Sequence, residues 1–92
     1  MSTVCVHVRV SGMVQGVNFR SYTRSKAQEL GVNGWVRNLP GGGVEAVIEG
    51  DRKKVGELLS LMKAGPAGSM VSGMELSELK CRGFENFEIK YG

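Results

Sequence analysis

Val4, Val6, Val8 and Val10 alternate with Cys5, His7 and Arg9. A period of two predicts a half-buried strand with the valines toward the core and Cys5, His7 and Arg9 on the exposed face. The period then lengthens. Around residues 20–30, RSYTRSKAQEL, the positions Phe19, Tyr22 or Thr23, Ala27 and Leu30 fall near helical spacing, and Gly31 suits a C-terminal cap. Asn33, just after that helix, suits a turn. GWVRN (34–38) reads as a strand built on Trp35 and Val36, and LPGGG (39–43) as a reversal. VEAVIE (44–49) follows as a strand with Val44, Ala46 and Ile48 on one face and Glu45 and Glu49 on the other, so the two strands form a hairpin. Asp51 is placed to cap a helix over 52–64 whose apolar stripe is Val55, Leu58, Leu59 and Met62, with Gly65 and Pro66 ending it. Residues 70–80, MVSGMELSELK, read as a strand that turns Met74 and Leu76 inward. Residues 86–91, NFEIKY, alternate Phe87, Ile89 and Tyr91 against Glu88 and Lys90 as a short last strand.

The resulting order, βαββαβ with an extra C-terminal strand, is the ferredoxin-like split βαβ plan of the α+β class. It predicts two helices on one face of a mainly antiparallel sheet. At 92 residues, with no internal repeat, low-complexity segment or linker, the chain is expected to form one domain over 1–92.

Composition narrows the function classes. Twelve basic and nine acidic residues leave a formal charge of +3, a mild bias toward anions without the dense basic block of a nucleic-acid tail. Cys5 and Cys81 form no C-x-x-C pair, which removes support for thioredoxin-type or paired-cysteine metal chemistry. They read as two free thiols in a reducing compartment. No apolar run approaches the roughly 20 residues of a membrane span, and the N-terminus lacks a signal-peptide pattern, so a cytoplasmic protein is expected.

The stretch GMVQGVNFR (12–20) joins the first strand to the first helix. The opening N–H groups of a helix have no intrahelical partners, and the helix dipole favours negative charge at that end. Gly16 lets the loop curl so that successive N–H groups converge, and Arg20 adds a planar fork that fits two phosphate oxygens. No carboxylate lies between Gly12 and Arg20. On these local grounds an anion-binding loop and a plain tight turn with a solvated Arg20 both remain open.

VSGMVQGVNFR (10–20) resembles the acylphosphatase signature: aliphatic, any residue, glycine, any residue, V-Q-G-V, any residue, aromatic, arginine. GWVRNLPGGGVEAVIEG (34–50) is similar to the second signature of that family, and both match at every defined position. The resemblance extends, through the order of elements, over nearly the whole chain. It implies hydrolysis of the carboxyl–phosphate bond of small acyl phosphates, with no metal or organic cofactor. It also implies that the loop of Gln15, Gly16, Val17, Asn18, Phe19 and Arg20 holds the phosphate. Arg20 then carries the arginine's role and Asn38 positions the attacking water. Inorganic phosphate is expected to occupy the same loop. Tyr91 is followed by Gly92, which sets a C-terminal carboxylate one residue beyond the family's usual end.

Other readings are weaker. His7, the only histidine, stands mid-strand with no carboxylate or cysteine partner evident in sequence, and is expected to be an exposed strand residue. Trp35 reads as a packing residue before a stacking platform. Met62, Met70 and Met74 read as core filling. An RNA-binding sheet would display an aromatic pair; the positions expected on the open face are Cys5, His7, Arg9, Glu45 and Glu49, so nucleic acid is disfavoured. A phosphate-binding regulatory domain without turnover is the alternative. A monomer without membrane association is the default.

Overall fold

A computed structural model describes residues 2–91. The chain runs β1 (Thr3–Met13), α1 (Phe19–Leu30), β2 (Asn33–Asn38), β3 (Val44–Asp51), α2 (Arg52–Ala64), β4 (Met70–Leu79) and β5 (Phe87–Lys90). The strands form one sheet in the order β4-β1-β3-β2-β5. All neighbours pair antiparallel except β2 and β5, which are parallel. This is the ferredoxin-like α+β architecture expected from the periodicities.

The core lies between the sheet and the two helices. Val4, Val6, Val8 and Val10 on β1 and Val44, Ala46 and Ile48 on β3 meet Phe19 and Ala27 of α1 and Val55, Leu58 and Met62 of α2. Fully burying a Val, Leu or Phe side chain stabilises the fold by about 1.5–3 kcal/mol relative to exposure. Thr23, not Tyr22, takes the buried position on α1; its hydroxyl donates to the Phe19 carbonyl at 2.9 Å, which satisfies it locally. Tyr22 lies at the helix edge and donates its hydroxyl to the Leu61 carbonyl of α2 at 3.2 Å.

Several positions differ from the periodic reading, and each has a local cause. Cys5 and Glu49 face each other across β1 and β3 on the side away from the helices, yet they are only 1% and 6% exposed. The segment after β4 folds back over them. The Glu49 carboxylate accepts N–H bonds from Arg82 at 2.7 Å, Gly83 at 3.1 Å and Phe84 at 3.0 Å. A buried carboxylate survives because three donors replace its water. Burial also pushes the Cys5 thiol up, and the Glu49 carboxylate adds to the effect. Cys81 is exposed, and both thiols are free.

β4 departs in the opposite sense. It is an edge strand, and Leu76 is 52% exposed and Met70 is 68% exposed, while Val71 and Met74 pack partly against the core. Asn33 is not a turn residue. It opens β2, and its side-chain amide donates to the Phe84 carbonyl at 2.8 Å, tying the strand to the segment that leads into β5.

His7 does have a carboxylate partner. Its Nε2 lies 2.7 Å from Glu45 Oε2, and Arg37 Nε donates to Glu45 Oε1 at 2.7 Å. Register explains what sequence order hid: Arg9, Glu45 and Arg37 fall in one cross-strand row, with His7 one step along β1. The His7 bond holds Glu45 below the usual carboxylate range, the Arg37 bond adds to it, and partial burial opposes both. A lowered folded-state value means that this stabilisation is present above the unfolded carboxyl value and is lost as pH falls through the folded one. Trp35 shares the open face half-exposed, with Lys90 Nζ 4.7 Å and Arg37 Cζ 5.8 Å from its ring.

Candidate active site

The chain leaves β1 at Met13 and enters α1 at Phe19 through a loop with two left-handed residues, Gly16 (φ 75°) and Asn18 (φ 67°). Asn18 is the one non-glycine residue with positive φ among those described. A left-handed asparagine is tolerated because its short side chain clashes least with the backbone. These two residues curl the chain tightly into the helix. The Tyr22 N–H closes the first turn on the Asn18 carbonyl at 3.0 Å. The N–H groups ahead of it have no intrahelical carbonyl to reach. The Asn18 side chain makes no capping bond, and the first turn of α1 has no acidic residue.

Asn38 ends β2. Strand alternation sends Arg37 to the open face, where Glu45 holds it, and Asn38 to the helix side. Its Oδ1 is buried and has no hydrogen-bond partner among the described residues. A buried amide oxygen left without a donor costs roughly 1–3 kcal/mol.

Loop, helix start and strand end meet in one pocket of about 150 Å³. Val14, Gly16, Asn18, Phe19, Arg20, Ser21, Asn38, Ile89 and Tyr91 line it. Of the expected phosphate-binding positions, Gly16, Asn18, Phe19 and Arg20 are in this lining together with Asn38. Val17 is in the loop, packed partly against the core. Gln15 points elsewhere: its Nε2 donates to the Leu39 carbonyl at 2.8 Å and the Gly43 carbonyl at 2.7 Å. Arg20 is the one charged residue in the lining, which offers no carboxylate, thiol or imidazole.

Ile89 and Tyr91 were not among the expected site residues. β5 runs parallel to β2 with Lys90 beside Arg37, which carries residue 91 to the level of Asn38. Phe87, Ile89 and Tyr91 alternate on one face, and the Tyr91 ring stacks on Arg20 with Cζ 4.9 Å from its centroid. Tyr91 is 80% exposed, so the guanidinium, not the core, is its main partner. The alternation of NFEIKY was legible; the parallel pairing that brings it to the site was not. Gly92, and with it any contact from a C-terminal carboxylate, lies outside the described residues.

The acylphosphatase family model matches residues 6–89. The chain belongs to the acylphosphatase family. It is 66% identical to an acylphosphatase of Methanothrix thermoacetophila over 97% of this chain and 99% of the relative. Among solved structures, an acylphosphatase from Coxiella burnetii superposes with a TM-score of 0.92 at 40% identity, covering 96% of this chain and 93% of that one. The Bacillus subtilis acylphosphatase superposes with a TM-score of 0.93 at 30% identity, covering 96% of this chain and 99% of that one. Membership in the acylphosphatase family makes the chain a hydrolase with acylphosphatase activity. No helix among the described residues is long and apolar enough to cross a membrane.

Proposed function

We propose that the pocket seats the phosphoryl group of a small acyl phosphate on the loop from Gln15 to Arg20, and that Asn38 holds the water that attacks it. The observation that carries this reading is the buried, unpartnered Asn38 Oδ1 in the same pocket as Arg20. An amide oxygen accepts a hydrogen bond from water while the NH₂ group donates, and neither titrates near neutrality. Asn38 therefore orients the nucleophile and does not act as a base.

The water oxygen forms a bond to phosphorus as the bond from phosphorus to the acyl oxygen breaks. The leaving carboxylate takes the bonding electron pair and needs no strong acid. The water's protons pass to the phosphate product and to solvent. What catalysis requires is alignment and charge stabilisation on the equatorial oxygens. The loop N–H groups, the N-terminal end of α1 and the Arg20 guanidinium supply both without reorganising. Chemistry of this kind works without metal or organic cofactor. Loop, arginine and asparagine all come from one chain, so the proposed site needs no second copy, in keeping with one domain working as a monomer. Two free thiols suit a reducing cytoplasm.

Hydrolysis of benzoyl phosphate with and without EDTA, and with added inorganic phosphate, tests the reading. Turnover is expected to be unchanged by EDTA and competitively inhibited by phosphate. Strong loss in EDTA contradicts the metal-free mechanism, and non-competitive inhibition contradicts a shared phosphate site.

A further inference from the structure

Gln15 sits in the loop expected to hold phosphate, yet its side chain has no donor left to offer. A primary amide has two N–H hydrogens. Both are engaged at short range, one by the Leu39 carbonyl at 2.8 Å and one by the Gly43 carbonyl at 2.7 Å. The two acceptors fix the orientation of the amide, because a flipped Gln15 would set its own oxygen against two carbonyl oxygens. The remaining Oε1 is an acceptor and cannot bind an anion.

The acceptors are the two ends of the β2–β3 turn. Leu39 directly follows Asn38, and the Leu39 N–H donates to the Gly43 carbonyl at 3.0 Å, so one amide grips both sides of the reversal. The turn is also held from beneath. Gly43 has φ 87°, and a Cβ there would approach the Val10 carbonyl oxygen to 2.9 Å, so the turn rests against β1 at Val10. Gln15 is itself exposed, which excludes a core-packing role.

We propose that Gln15 is a positioning residue that sets the spacing between the phosphate-binding loop and the water held by Asn38. This rests on the water-positioning role proposed above. With the clamp released, the loop still binds phosphate through its N–H groups and Arg20, but Asn38 no longer stands at a fixed distance from phosphorus. A misplacement of about 1 Å between reacting groups can cost on the order of 100-fold in rate. The signature is a loss in kcat with little change in phosphate affinity, and it requires Asn38.

The test is a double-mutant cycle of Gln15→Ala and Asn38→Ala, measuring kcat for benzoyl phosphate and the inhibition constant of inorganic phosphate, with Gln15→Leu as a second variant that keeps side-chain bulk. Both Gln15 variants are expected to lower kcat about 10-fold or more in the parent and leave the phosphate inhibition constant within about 3-fold. In the Asn38→Ala background the same changes are expected to alter kcat less than about 2-fold. An equal loss in both backgrounds, a matching loss of phosphate affinity, or no loss in the parent overturns the inference. Parent-level turnover by Asn38→Ala alone instead overturns the water-positioning reading on which it rests.

Discussion

The two helices of this fold begin in opposite ways. α2 is closed by its own sequence: Asp51 precedes it in extended geometry and its carboxylate accepts the Lys53 N–H at 3.1 Å. That carboxylate is an internal anion on the positive end of the helix, and it offsets Arg52, Lys53 and Lys54 in the first turn. α1 begins at a left-handed Asn18 that makes no side-chain cap, has no acid in its first turn, and points into a pocket that holds Arg20. One N-terminus has a donor satisfied by its own capping carboxylate, and the other has no side-chain cap. An uncapped helix costs about 0.5–2 kcal/mol. Helix strength is given up at the end where a bound phosphate would supply the missing acceptor.

The largest effect that sharpens this contrast is expected from Arg20→Ala. Removing the cation from the open end should lower kcat/KM for benzoyl phosphate by about 1,000-fold or more. A loss below about 10-fold would mean that the helix start and loop act without it. Next is Asn18→Asp, which gives α1 the internal anion that α2 already has. Aspartate tolerates the left-handed conformation. The variant should keep or raise thermal stability, by about 0.3–1 kcal/mol, while weakening phosphate inhibition by about 10-fold or more. Unchanged phosphate affinity in titration would break the comparison. The smallest effect is expected from Asp51→Ala: a loss of about 1 kcal/mol in chemical denaturation with kcat/KM unchanged.

The element order was legible because the valine alternation of β1 and the spaced apolar positions of α1 and α2 are local signals. Asn38 was legible as a candidate for a different reason: it sits in a signature whose strand pairs back to the start of β3, at the same end of the sheet as the 14–18 loop. What sequence order hid was long-range. Glu49 alternates as an exposed strand residue until the 82–84 segment lays three N–H groups on it. His7 gains Glu45 from 38 positions away. Leu76 and Met70 carry an inward pattern, but their strand is the sheet's outer edge. Gln15 falls within the loop signature, and nothing in its neighbours announces a grip on Leu39 and Gly43. Each of these depends on which strand lies beside which, information that a period of two or 3.6 does not hold.

In the proposed mechanism one pocket divides its labour, with phosphate held by the open start of α1 and Arg20 and water held by Asn38. The most direct test is Asn38→Ala, assayed for benzoyl phosphate turnover and for inhibition by inorganic phosphate. kcat is expected to fall by about 100-fold or more while the phosphate inhibition constant stays within about 3-fold of the parent. Parent-level turnover, or a loss of phosphate affinity equal to the loss of rate, would contradict it.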